Sequence, residues 1–388
     1  MIYIKDRFLR YPPSVLQIMT IFGPVVFLKF FRDYLTSWSK RIFLQTKDCK
    51  DFESFAIRVV GRSLYETFYK PYAIKLWGLP PTTISYEPII NRLRRFEAKQ
   101  FIRELMLSVS GKKASPVYYY PPHGIGQIAE ALKERFLKNG GNLLLSTEIE
   151  SLIVQDNMIT QVNLLDQNRK KLCLCPESFV STVPLDITLR WINRSSSTAG
   201  HAAFPLRWRG LRLLFIHIDR PLTHENETFY VPEPPFSVGR ISEISKYSPQ
   251  IQTPGFKGSL LTIEVPCSPG DEIWETGHDQ FLAKSLSELS QLKILQEPTI
   301  LGSFSKRISN VYPIQESDWK EKFLAAYNQT NHASNLYLIG RAALFLHCNI
   351  DHAMTMGLRL ASHLTDPSQT RDAWEETVKS FFSFKVRD

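Results

Sequence analysis

The chain has 388 residues, of which 43% are hydrophobic and 12% aromatic, which suits two or three domain-sized units with a sizeable core and argues against intrinsic disorder. Lys and Arg number 47 against 38 Asp and Glu, for a net charge of +9. The densest basic spots, Arg92-Leu93-Arg94-Arg95, Lys112-Lys113 and Arg169-Lys170-Lys171, fall short of a basic tail, and no nucleic-acid motif accompanies them, so no nucleic-acid partner is expected.

Residues 1–8 carry Lys5, Asp6 and Arg7 and do not open as a signal peptide. Residues 15–31 are strongly apolar but interrupted by Gln17, Thr20, Gly23-Pro24 and Lys29, so no run is long enough to span a bilayer. Two readings stand: a buried helical hairpin bending at Gly23-Pro24, or a surface that dips into a membrane, which would suit a lipophilic substrate. Over residues 52–68, Phe52, Phe55, Ala56, Val59, Val60, Leu64 and Phe68 recur at helical spacing. Pro71 and Pro80-Pro81 break that pattern, and residues 92–107 resume it as an amphipathic helix. Phe68, Tyr69, Tyr72 and Trp77 form an aromatic cluster, read as core packing or as the wall of a cavity for a planar substrate.

Residues 117–120 suit a strand, 121–126 a turn and 127–137 a helix that Gly140-Gly141 ends. Another strand is expected at 142–145, a strand pair at 147–154 and 159–165 around Asp156-Asn157, and a short strand from Phe179 that Pro184 ends. Residues 211–218, 228–231 and 259–265 read as strands of a second sheet. Residues 279–289 are helical and 336–339 form a short strand. A helix follows at 351–364, with Ala353, Met354, Gly357, Leu358, Ala361 and Leu364 on one face, and a last amphipathic helix at 371–382. Strands and helices alternate as in an α/β or α+β fold.

Gly124-Ile125-Gly126-Gln127-Ile128-Ala129 matches GxGxxA, with Glu148 about twenty residues on, the outline of a dinucleotide fingerprint. Pro121-Pro122-His123 separates the strand from the first glycine, and Tyr118-Tyr119-Tyr120 suits a half-exposed strand, so the segment reads as a turn feeding an ordinary helix. The cysteines are Cys49, Cys173, Cys175, Cys267 and Cys348, an odd and widely spaced set that is no disulfide framework. Cys173 and Cys175 lack zinc spacing and no metal site is expected; a reducing cytoplasm fits, with peripheral membrane association as the alternative.

Four segments in order resemble one superfamily. YYYPPHGIGQIAEALKERFLKNGG (118–141) with the NLLLSTEI that follows is similar to an interior segment of protoporphyrinogen oxidases, phytoene desaturases and amine oxidases, and FVSTVPL (179–185) to the strand those proteins carry next. LIGRAALFLHCNIDHAMTMGLRLA (338–361) resembles their C-terminal FAD motif, in the form found in UDP-galactopyranose mutases and bacterial protoporphyrinogen oxidase-like proteins. FESFAIRVVGRSLYETFYKPYAIKLWGLPPTTIS (52–85) looks like the helical region of that subgroup. The resemblance implies an α/β, two-domain flavoenzyme that transfers hydride from a small organic substrate to FAD, with an incomplete Rossmann-like domain and a helical and mixed-sheet substrate domain. The N-terminal GxGxxG unit of such proteins is missing here, so this chain is expected to be a truncation or to work with a separate N-terminal FAD-binding piece. The implied division is 1–115 (helical part of the substrate domain), 116–190 (FAD-binding segment), 191–300 (substrate-domain sheet) and 301–388 (C-terminal FAD-binding segment).

Physical chemistry gives the resemblance content. A strand ending at Ile339 feeds Gly340, which has no Cβ to obstruct a ligand. Arg341 offers a fork to a phosphate. Asn349 or Asp351 caps the next helix, whose N–H groups around Asp351, His352 and Ala353 are expected to face the flavin, while Gly357 lets the helix pack closely. By resemblance Ile149 lies near the adenine, Thr182 to Pro184 beside the nucleotide, and Tyr312 close to the flavin ring. In the mutases two tyrosines after this motif hold the substrate diphosphate. The matching positions here are Phe345 and His347, which argues against mutase activity. His347, expected on the substrate side, and His352 are the proton-transfer candidates, and no catalytic residue is assigned. A mutase-like flavoenzyme and a non-catalytic remnant are the alternatives.

Overall fold

A two-residue hairpin opens the chain: β1 (Ile2–Ile4) and β2 (Arg7–Leu9) are antiparallel, joined by Lys5 and Asp6 at φ 49° and 58°. Two successive positive φ values are the signature of the turn whose twist matches that of the strands. The structure is a computed structural model describing residues 1–10, 15–43, 49–87, 119–193, 206–251, 255 and 258–384. Helices α1 (Val15–Phe22) and α2 (Pro24–Phe43) bend at Gly23, φ 82°, with Pro24 starting the second helix, as the helical-hairpin reading expects. Phe22 and Phe30 are buried with ring centroids 5.6 Å apart, while Val25 and Leu28 are exposed. Among the described residues no helix is long and apolar enough to cross a membrane.

Helix α3 (Phe52–Val60) is held at its start by a capping box between Asp51 and Ser54, and buries Phe52, Phe55, Ala56, Val59 and Val60. The continuous helix expected over 52–68 is instead broken at Gly61, φ 85°. A short α4 (Arg62–Leu64), a π-helical turn (Tyr65–Tyr69) and α5 (Lys70–Trp77) follow. The expected helix at 92–107 lies outside the described residues, as do Val117 and Tyr118 of the expected strand; Tyr119 and Tyr120 are not in a strand. Helix α6 (Gly126–Lys138) follows a turn at Gly124 and ends where Gly140, φ 87°, sends the chain out of the helix.

Residues 142–145 form no strand: Leu143, Leu144 and Leu145 are exposed, and they have no ladder partner among the described residues. Strands β3 (Glu148–Gln155), β4 (Met158–Leu165) and β5 (Lys171–Leu174) make an antiparallel sheet, turned at Asp156-Asn157 as expected. Then come β6 (Phe179–Ser181), α7 (Leu185–Asn193), β7 (Arg207–Ile218), β8 (Thr228–Tyr230), β9 (Arg240–Glu243), β10 (Ser259–Cys267), α8 (Glu272–Glu275), α9 (His278–Gln291), β11 (Ile300–Ile314), α10 (Trp319–Asn328), β12 (Leu336–Leu338), α11 (Gly340–Ala343), α12 (Ile350–Thr365) and α13 (Arg371–Phe381). On α12 the expected apolar stripe is the outward one: Met354 and Leu358 are exposed, and Met356 and Leu360 are buried.

The fold is α/β and divides into two units. The first takes described residues from Met1–Tyr86, Leu93–Asn142 and Trp208–Val311, and the second from Glu87–Arg92, Leu143–Arg207 and Tyr312–Asp388. The first unit is built on a seven-stranded sheet in the order β11-β7-β10-β9-β8-β1-β2. Its core joins Leu214, Ile216 and Ile218 of β7 and Leu261, Ile263 and Val265 of β10 to Phe281 and Leu289 of α9. The second unit contains the three-stranded sheet and the parallel pair β6–β12, with Trp374 of α13 fully buried beside Tyr337.

Candidate functional site

All the candidate cofactor and substrate residues named from the resemblance fall in the second unit. Strands β6 and β12 run parallel in the register Leu336↔Phe179, Tyr337↔Val180 and Leu338↔Ser181. The Ile339 N–H extends the ladder by donating to the Ser181 carbonyl at 3.2 Å. The chain therefore leaves both strands side by side, at Thr182 and at Gly340. A Cβ built on Gly340 would lie 3.9 Å from Thr182 Cβ, an ordinary contact. Gly340 is needed for its backbone instead: its φ is 88°, in the region where a side chain is strained. Thr182 is exposed, and Pro184 starts the turn into α7, accepting the Ile187 N–H at 2.9 Å. Ser181 and Thr188 share a buried hydroxyl contact of 2.7 Å that ties the strand to this helix.

Beyond Gly340 the chain folds back on itself. Arg341 was expected to reach out to a phosphate, but its Nε donates to the Cys348 carbonyl at 3.1 Å and its Nη2 donates to the same oxygen. The guanidinium lies 5.8 Å from the ring centroid of Tyr312, which brings that sequence-predicted residue into the group. His347 Nε2 donates to the Pro313 carbonyl at 3.0 Å; a carbonyl only accepts, so this nitrogen carries the proton. Burial pushes the Cys348 thiol above its ordinary range, with Arg341 working against that, so the thiol stays protonated at neutral pH.

Asn349 caps α12. Its side chain accepts the His352 N–H, and its own N–H donates to His352 Nδ1 at 3.2 Å. His352 is thus part of the cap, and its ring stacks on Phe384 at 4.8 Å. Ala353, expected to offer a free N–H, spends it on the Asn349 carbonyl at 3.1 Å. The helix start still has the N–H groups of Ile350 and Asp351, and Asp351 itself is exposed. A Cβ on Gly357 would meet nothing within 4 Å among the described residues, so the close packing expected there is not made by them. Ile149 sits half-buried on β3, opposite Leu164 of β4, and α7 packs against β3.

Several contacts had no signal in the sequence. Gln315 is buried and donates to the Phe345 carbonyl at 2.7 Å. Phe345 is buried at φ 50°, against Trp319. Met356 Sδ accepts the Gly340 N–H at 3.1 Å, pinning the strand end to α12. Contacts of this kind depend on which loop returns to which strand, and no local pattern encodes that.

No known protein-family model matches the chain. Its fold is similar to that of reduced UDP-galactopyranose mutase, with a TM-score of 0.72 and 17% identity, covering 98% of this chain and 80% of that one. A protoporphyrinogen oxidase-like protein from Exiguobacterium sp. 255-15 gives 0.60 at 12% identity, covering 85% and 70%. An oxidoreductase from Methanosarcina mazei gives 0.59 at 12% identity, covering 90% and 75%. At these identities the likeness is one of fold.

Proposed function

We propose that this chain is an FAD-dependent oxidoreductase that removes hydride from a small organic substrate, with the second unit holding part of the cofactor. The observation that carries the reading is the pairing of Gly340 with Thr182 where two neighbouring parallel strands end. Open α/β sheets bind ligands outside the carboxyl ends of their strands. The residues there fit a dinucleotide. Gly340 presents backbone without a Cβ, Thr182 presents an exposed hydroxyl, and the Ile350 and Asp351 N–H groups favour negative charge at a helix start. The bound flavin would supply the hydride acceptor. Arg341 works by holding the Cys348 carbonyl, which fixes Asn349 and the helix start behind it. His347 and His352 orient the loop and the cap, since each has a ring nitrogen committed to backbone.

The fold likeness to a mutase favours a second reading, a flavin-dependent sugar-nucleotide mutase. Against it, Phe345 has no hydroxyl and is buried, and His347 is tied to Pro313. The test is a titration of purified protein with FAD, followed by quenching of flavin fluorescence. Gly340→Ala is expected to weaken binding about tenfold, equivalent to about 1.4 kcal/mol, because strain at positive φ costs about 1–2 kcal/mol. Thr182→Val should weaken it too, with no change in melting temperature. A folded wild-type protein that leaves FAD fluorescence unquenched would overturn the proposal. Turnover of UDP-galactopyranose under reducing conditions would select the mutase reading instead.

A further inference from the structure

Cys173 and Cys175 are in none of the site contacts described above. Strand β5 is an edge of the three-stranded sheet, paired to β4 through Asn163↔Cys173 and Val162↔Leu174. Cys173 is the last strand position but one and Cys175 follows directly on Leu174, so the two cysteines are separated by one residue where the edge strand ends. Both cysteines are exposed, whereas Cys49, Cys267 and Cys348 are buried. After desolvation, the neighbouring Cys175 thiol raises the pKa of the Cys173 thiol, so the two groups interact. At a rise of about 3.3 Å per residue their Cα atoms are about 6.6 Å apart. That lies inside the range a disulfide can bridge, at its long end. Cys175 is past the last ladder residue and precedes Pro176, which has no N–H to donate, so the backbone can draw in there without losing a ladder bond.

We propose that Cys173 and Cys175 form a reversible thiol–disulfide exchange site whose co-reactant is a small-molecule disulfide. The thiolate of one cysteine attacks a sulfur of the disulfide, breaks the S–S bond and releases one small thiolate. The second cysteine loses its proton and attacks the protein sulfur of the mixed disulfide, forming the Cys173–Cys175 bond and releasing the second small thiolate. The protein pair is oxidised by two electrons, the small disulfide is reduced to two thiols, and the two cysteine protons end on them. Closing a ring across a single intervening residue strains the bond, so reduced thiol reopens it readily. Partial desolvation, and after it the neighbouring Cys175 thiol, holds the Cys173 thiol above its ordinary range, so exchange accelerates as pH rises.

The experiment equilibrates the full chain with reduced and oxidised glutathione in varied ratio, alkylates free thiols, and reads intact mass and the peptide carrying both cysteines. In the oxidised buffer the native protein is expected to lose two alkylatable thiols and yield a peptide bridged between Cys173 and Cys175, restored by reduced glutathione. Cys173→Ser and Cys175→Ser should each retain one glutathione on the remaining cysteine, with unchanged circular dichroism. Two free thiols in fully oxidised buffer, or wild-type protein carrying stable glutathione adducts on both, would overturn the proposal.

Discussion

Lys75 holds its charge where water is scarce. Its Nζ donates to the carbonyl of Val231 and to those of Glu233 and Val238, the last two at 3.0 Å. Glu288 takes the N–H groups of Ser237 and Val238, so the pair anchors residues 231–238 through both donors and acceptors. Burial pushes the Lys75 ammonium down to about 8, and Glu288 and Glu233 offset part of that. In the unfolded chain the same group titrates near 10.5. Between those values the unfolded state binds more protons, so the Lys75 contribution to stability rises with pH across that window. Denaturant midpoints measured from pH 8 to 10.5 should show that rise in wild-type protein, and the difference against Lys75→Met should isolate it; parallel curves would refute it. Nothing in the sequence marked what this residue bonds to. Its partners lie more than 150 positions away, whereas Gly340 stood out because its strand, glycine and following helix are contiguous.

Helix α3 divides the legible from the illegible within a single element. Its buried face was readable because Phe52, Phe55, Ala56, Val59 and Val60 repeat at helical spacing. Its end was not, because Leu64 and Phe68 continue the same phase past Gly61. What breaks the helix there is tertiary: a Cβ on Gly61 would sit 2.9 Å from the Asp33 backbone, and the Asp33 carboxylate accepts the Ser63 N–H at 3.3 Å. Hydrogen bonds from Ser63 and Arg32 hold that carboxylate below the usual range against the opposing effect of burial. Gly61→Ala therefore meets both strained φ and overlap with backbone that cannot rotate away. A cost of about 3 kcal/mol is expected, summing about 1–2 kcal/mol of strain and about 1–3 of overpacking at their lower ends and middle. Chemical denaturation would measure it, and a variant as stable as wild type would show that α2 yields at Asp33.

Across the whole molecule the sequence disclosed fold class and most strands but, beyond the β3–β4 hairpin, not how they pair. Residues of β7, β8 and β10 read as strands, yet the order β11-β7-β10-β9-β8-β1-β2 adds the first residues of the chain at one edge of the sheet, beside β8. Strands β1 and β2 are too short to show a period, and β9 is a four-residue strand with three buried positions and no alternation to read. The parallel pair β6–β12 joins segments far apart in the chain, a relation no local pattern carries. The distribution of the core nevertheless has a definite consequence. Every buried residue of the main core of the first unit except Tyr3 lies between Leu214 and Leu295, on β7 to β10, α9 and their connections. Apolar burial is the dominant favourable contribution to folding, and residues 206–314 carry nearly all the buried residues of that core. What they lose are contacts from the N-terminal segments, among them the Lys75 ammonium on the Val231, Glu233 and Val238 carbonyls. Arg209 no longer reaches the Leu76 and Lys75 carbonyls, and β8 loses its partner β1 and becomes an open edge. A fragment spanning 206–314 is therefore expected to unfold in one cooperative transition, at a lower midpoint than the full chain and with a greater tendency to self-associate through β8. Far-UV circular dichroism during thermal unfolding tests this directly: a broad melt without a transition would mean that the N-terminal segments are needed to form the sheet.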